Sequence, residues 1–179
     1  VPETTEKIFL GGNHCDRLRR YLWRTAPELT QIAGNDIPSL LNLQGWNYIP
    51  YYNAAAVNDG VPGYNLDNVL LIMHGICARK YSGYTARAHF ERFHTSGVCG
   101  HVHRLGQHYF RAYGGVWTWI EGGCLCQLEP PYCSSPDWQQ GFVAGYVLLD
   151  GTPTPRFDLQ QVFIHNRKLS WQGQLYKAS

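Results

Sequence analysis

The sequence predicts an α/β fold, a single domain over residues 1–179 in which mixed β-sheets are flanked by helices. Three observations predict it. An apolar run of strand length, Val69 to Met73, lies among turn-forming residues; Thr85 to Phe93 repeats apolar side chains at helical spacing; and from Tyr109 onward aromatic and polar residues alternate. With 179 residues, 44% of them hydrophobic and 16% charged, the chain is long enough to bury a core and too apolar to be disordered.

The elements follow in order. Lys7 to Leu10 is a short apolar run ended by Gly11-Gly12, and Asp16 to Trp23 then carries Leu18, Tyr21 and Leu22 at helical spacing, so strand, tight loop and helix are expected. Ile37 to Leu43 is a second helix, with Asn35 or Asp36 as its cap, Pro38 in its first turn and Gly45 as its stop. Trp46 to Tyr52 is a strand, and the turn-rich segment from Asn58 to Gly63 separates it from the strand Asn68 to Met73. Thr85 to Phe93 is a helix with Ala86, His89, Phe90 and Phe93 along one side, and Ser96 to Cys99 is again a strand. Tyr109 to Tyr113, Val116 to Ile120, Phe142 to Leu149 and Gln161 to His165 are strands joined by hairpins.

Charge names no partner. Fifteen Lys and Arg against thirteen acids leave a net charge of +2, with no basic run to serve as a nucleic-acid footprint. No apolar run approaches the roughly 20 residues of a membrane-spanning helix, so no membrane partner is expected. Six scattered cysteines in a chain of this size favour a reducing compartment. Since residue 1 is Val and a strand begins by Lys7, a further segment is expected upstream.

Three of the strands end alike, each followed by histidine: Leu10 by Gly12-Asn13-His14, Met73 by His74-Gly75, and Cys99 by Gly100-His101-Val102-His103. Ligands of open α/β sheets bind beyond the carboxyl ends of strands, so as neighbours these three would bring Asn13, His14, His74, His101 and His103 to one rim, in loops. Imidazole nitrogens and an amide oxygen suit divalent Mn, Fe or Zn, and glycine beside each lets the backbone turn sharply.

These motifs, in this order and at these separations, resemble the last three motifs of the calcineurin-like metallophosphoesterases. Gly12 to Arg17, Ser82-Gly83-Tyr84, His103 to Gly106, Gly123 to Cys126 and Trp138 to Phe142 resemble the phage and prophage members, over nearly the whole chain. The resemblance implies that the domain is the C-terminal part of a four-layer αββα sandwich, with two divalent metal ions (Mn, Fe or Zn) in the full-length protein. It implies that Asn13, His74 and His101 ligate one metal, that His103 ligates the other, and that His14 acts unligated as a proton donor or charge stabiliser. The activity implied is metal-dependent hydrolysis of a phosphate ester, with a phosphodiester favoured, on a phosphorylated substrate such as nucleic acid or nucleotide. The implied location is cytoplasmic, in the bacterial host if the chain is phage-encoded.

Two departures stand out. The family's Asp-x-His and Gly-Asp-x-x-Asp motifs precede Gly-Asn-His, and the twelve residues before Asn13 contain neither, so this chain alone is expected to be inactive. Cys15 follows His14 where the family has an acid, with Asp16 next. Arg17 and Arg104 adjoin motif residues and offer guanidinium forks to phosphate. Two other classes of reading are open: a catalytically incomplete metal-binding or interaction module, and a zinc structural domain built on Cys124, Cys126 and Cys133. Their spacing lacks the paired gaps of zinc sites, and alternation along a strand makes Cys124 and Cys126 core residues instead. His89 reads as a half-buried packing residue, and His94, His108 and His165 as structural.

Overall fold

Behind the first motif lies a β–α–β unit. β1 (Ile8–Leu10) pairs in parallel with β2 (Asn47–Ile49), Ile8 opposite Asn47 and Leu10 opposite Ile49. Parallel strands need a crossover, which here contains α1 (Asn13–Thr25), a 3₁₀ turn (Pro27–Gln31) and α2 (Ile37–Leu40). The computed structural model describes residues 5–51, 63–148 and 156–178. Tyr52 of the second expected strand, the turn from Asn58 to Pro62, and Leu149 lie outside the described residues. Chain contacts divide the protein into two compact units, Val1–Tyr64 and Asn65–Ser179. The described residues form a mixed α/β structure with sheets of two, four and five strands.

In the first unit, Gly11 passes so close under β2 that an added Cβ would lie 3.0 Å from the Tyr51 nitrogen and 3.2 Å from the Ile49 oxygen. Helix α1 begins at Asn13, three residues earlier than the spacing predicts. Gly12 is its extended N-cap, and the Asp16 N–H closes the first turn on the Gly12 oxygen at 3.1 Å. Asp36, rather than Asn35, caps α2: its carboxylate accepts from the Ser39 N–H at 2.9 Å and the Ser39 hydroxyl at 3.0 Å. The helix stops at Leu40 instead of Leu43. Asn42 takes a left-handed φ of 52°, and Leu43 N–H bonds the Pro38 oxygen at 2.8 Å while Asn42 N–H bonds Ser39, the pattern of a Schellman stop. β2 ends at Ile49, before Pro50, which has no N–H for the ladder.

The second unit is built on a five-stranded sheet in the order β3–β4–β5–β7–β6: β3 (Tyr64–Leu66), β4 (Leu70–Met73), β5 (Gly97–Cys99), β6 (Leu105–Ala112) and β7 (Gly115–Gly122). β4, β5 and β7 run parallel, and β6 returns antiparallel to β7. α3 (Tyr84–Phe93) packs on β7 and β6 through Phe90, whose ring is 4.3 Å from that of Phe110, and through buried His89, 5.0 Å from Trp119. Trp119 and Glu121 face α3. Pleating sends Gly122 the other way, where an added Cβ would meet Val143 of β8 (Gly141–Leu148) at 3.6 Å. Unit 2 is therefore a helix on a sheet on a second sheet, and Thr118 to Glu121 are buried in succession because both faces of β7 are covered. Leu70, Leu71, Met73, Ala86, Cys99 and Ile120 complete the core.

The second sheet is an antiparallel meander of β8, β9 (Arg156–His165), β10 (Lys168–Trp171) and β11 (Gln174–Lys177). The last two strands escape sequence patterning. Their two-residue loops, Asn166-Arg167 and Gln172-Gly173, have positive φ throughout, as mirror-image hairpin turns require, but lack the usual Asn-Gly signature. β6 also starts at Leu105, four residues before the expected Tyr109, because its ladder with β7 continues through Gly106 opposite Glu121. Among the described residues no helix is long and apolar enough to cross a membrane.

Candidate functional site

β4 and β5 are adjacent and parallel, with Met73 opposite Cys99, so both chains leave the sheet at one edge. His74 follows directly, and His101 follows two residues past β5. Their half-buried imidazoles meet with His101 Nδ1 3.2 Å from His74 Nε2 and ring centroids 5.1 Å apart. Gly75, with φ 111°, is required here, because a Cβ at that position would lie 2.9 Å from the His101 Cβ.

The chain turns sharply between His101 and His103. Val102 N–H bonds the Gly100 oxygen at 2.8 Å, making a γ-turn centred on His101, whose φ is 70°. Val102 is buried, and His103 takes a second left-handed conformation, φ 59°. Its ring packs edge-on against Trp138, centroids 4.3 Å apart, and its carbonyl accepts from Gln139 N–H at 2.9 Å. Positive φ values at two non-glycine ligand candidates, His101 and His103, mark backbone strain held in place by surrounding structure.

The first motif differs from its expected placement in two ways. β1 pairs with β2 in a two-stranded sheet, while β4 and β5 belong to the five-stranded one. Asn13, half-buried, and His14, exposed, are the first two residues of α1 rather than part of a loop, since Gly12 already serves as the N-cap. Asp16, next along, is buried and turned to Arg19 and Arg20 at 2.6 and 2.5 Å. Within this unit, Cys15, Asp16, Arg19, Trp23, Tyr48 and Pro50 line part of a cavity of about 460 Å³. The Tyr48 hydroxyl there is pushed above its ordinary pKa, chiefly by burial.

Several residues that sequence reasoning passed over organise the second unit. Glu121 is fully buried, and its carboxylate accepts from Gly83 N–H at 3.0 Å and Ala86 N–H at 2.9 Å, capping α3 from a neighbouring strand. Gln161 on β9 donates to the carbonyls of Gly106 and Glu121 at 2.9 and 2.8 Å. Gln139 accepts from Leu105 N–H through its side chain and from Cys124 N–H through its carbonyl, while Gly123 N–H donates to Arg104. The stretches 82–84, 103–106, 123–126 and 138–142 are thus one hydrogen-bonded assembly, and a lone Glu after an apolar run was the available signal for its centre. Arg104 donates to the Arg79 carbonyl, while Arg17 is exposed.

His89 is fully rather than half buried. Its Nδ1–H donates to the Thr85 carbonyl at 2.8 Å and its Nε2 accepts from Ile76 N–H at 3.2 Å, a pairing that suits the neutral ring, and burial lowers its pKa. The strand placement of Cys124 and Cys126 does not hold. β7 ends at Gly122, Cys124 makes an isolated bridge to Gln140, and Cys126 is exposed. Among the described residues no three His, Cys, Asp or Glu side chains gather closely enough to hold a metal ion. No family model, curated protein or solved structure matches the chain.

Proposed function

We propose that this chain carries C-terminal ligands of a two-metal phosphoesterase of the calcineurin-like, four-layer αββα type, acting on a phosphate ester of the phosphodiester class. The observation that supports the reading most directly is the pairing of His74 with His101. Two imidazole nitrogens each about 2.0–2.1 Å from one divalent ion are held roughly 2.8–3.4 Å apart, from octahedral to tetrahedral angles. The 3.2 Å separation fits that span. The γ-turn adds to it, since it breaks the extended chain between His101 and His103, whose ring packs on Trp138, as assignment to two different ions requires. Bound ions of this kind supply charge neutralisation and an acidified water. The chain's own part is to hold imidazoles in a fixed, strained geometry. The roles of Asn13 as ligand and His14 as proton donor rest on the motif resemblance alone.

The test is calorimetric titration of the chain with Mn²⁺ or Zn²⁺. One weak site is expected, abolished by His74→Ala or His101→Ala and tolerant of His103→Ala. Equal dependence on all three histidines, or no dependence on His74, would overturn the division of ligands.

A further inference from the structure

The loop after β7 holds a pair of thiols that the phosphoesterase reading does not use. Cys124 is fixed on three sides: its N–H bonds the Gln139 carbonyl at 3.1 Å, its own carbonyl accepts from Gly141 N–H at 2.9 Å, and its thiol donates to the Gln139 carbonyl at 3.6 Å. The chain then bends at Leu125 and Cys126, and Gln140 Nε2 ties down the Cys126 carbonyl at 2.9 Å. The bend matters. Two residues of extended chain span about 7 Å, while a disulfide needs Cα atoms roughly 4.4–6.8 Å apart, so only a bent segment brings an i, i+2 pair into range. The Cys126 thiol is near enough to act on the Cys124 thiol, whose own hydrogen bond is to the Gln139 carbonyl. Among the described residues Cys133 forms no metal-holding group of three with them.

We propose that Cys124 and Cys126 are an oxidation site, a vicinal dithiol that a hydroperoxide converts to a reversible disulfide within the loop. Exposed Cys126 is the attacking group, through its thiolate. Its sulfur takes the distal peroxide oxygen, the O–O bond breaks, and hydroxide leaves to be protonated, giving a sulfenic acid. The Cys124 sulfur then displaces hydroxide from the Cys126 sulfur, and its proton completes a molecule of water. With hydrogen peroxide the balance is two thiols oxidised, one peroxide reduced and two waters released. The order of attack has a physical basis. Cys124 is half-buried and its pKa is pushed up to about 11 by burial first and the Cys126 thiol second, so it keeps its proton until the partner is activated.

The proposal does not rest on the phosphoesterase reading, and its test reads thiols and mass. The chain, all six of whose cysteines are free, is treated with hydrogen peroxide without denaturant, blocked with an alkylating agent and mapped by mass spectrometry. Expected are the loss of two titratable thiols, a mass lower by two hydrogens, a cross-link confined to Cys124 and Cys126, and full reversal by dithiothreitol. In Cys124→Ser, Cys126 should be trapped by a sulfenic-acid reagent; in Cys126→Ser, Cys124 should stay reduced; Cys133→Ser should behave as the parent. A link from either thiol to Cys133, oxidation of Cys126 to the sulfinic acid with no link, or a free Cys124–Cys126 pair after other cysteines have reacted would each overturn it. The parent chain alone decides the point if a variant fails to fold.

Discussion

At the residue scale, the candidate ligands His101 and His103 hold left-handed backbone, and Gly75 makes room for the first of them. Gly75→Ala would bring a methyl to 2.9 Å from the His101 Cβ at a φ of 111°. It should lower stability by about 1–3 kcal/mol and weaken metal binding together with it, readable by urea unfolding and by the same calorimetric titration. An unchanged affinity would show that His101 does not depend on this packing. A second residue carries a pH dependence. Burial lowers the His89 pKa below the ordinary histidine value, so on acidification the unfolded chain takes up this proton before the folded one does. Stability should therefore fall as pH drops from about 7 to about 5, within the range where unfolded histidine titrates. His89→Asn should show a shallower fall than the parent, and an identical slope in both would exclude His89 as its source.

At the element scale, α3 is positioned by a carboxylate from outside its own sequence. Glu121 meets two N–H groups at the positive end of the helix dipole, which compensates for taking an acid out of water. Glu121→Ala should cost roughly 2–4 kcal/mol, because each buried N–H left unmet costs about 1–3 kcal/mol. Glu121→Gln, which keeps an acceptor, should cost less. Chemical denaturation of the two variants separates these outcomes, and equal losses would point to packing rather than capping. A lone Glu after an apolar run flags the residue but not its partner, since Glu121 and Ala86 are 35 residues apart. By contrast the cap of α2 was legible, because Asp36 and Ser39 lie within one turn of chain.

At the scale of the whole molecule, the phosphoesterase reading makes a prediction from what these 179 residues contain. The resemblance implies carboxylate motifs ahead of Asn13, and those positions hold none. A two-metal mechanism needs both ions held together. This chain by itself should therefore hydrolyse an activated aryl phosphodiester with Mn²⁺ at no more than a trace rate. Turnover on the order of 1–10³ per second, the usual enzyme range, would mean that the site is complete without them.

The strands and helices with strong local signals were determined by sequence alone. Val69–Met73 brackets β4, Thr85–Phe93 overlaps all but the first residue of α3, and the alternation after Tyr109 marks the strand-rich half. Of the three histidine-ended strands expected to be neighbours, β4 and β5 do lie side by side. Tertiary structure decided what depends on distant partners. It set β1 in its own sheet, drew Asn13 and His14 into a helix, covered both faces of β7 and left Cys126 exposed. The reason is the range of the forces. Side-chain periodicity and caps act over a few residues, whereas strand pairing and buried hydrogen bonds are chosen among residues far apart in the chain, where burial and polar satisfaction select the partner.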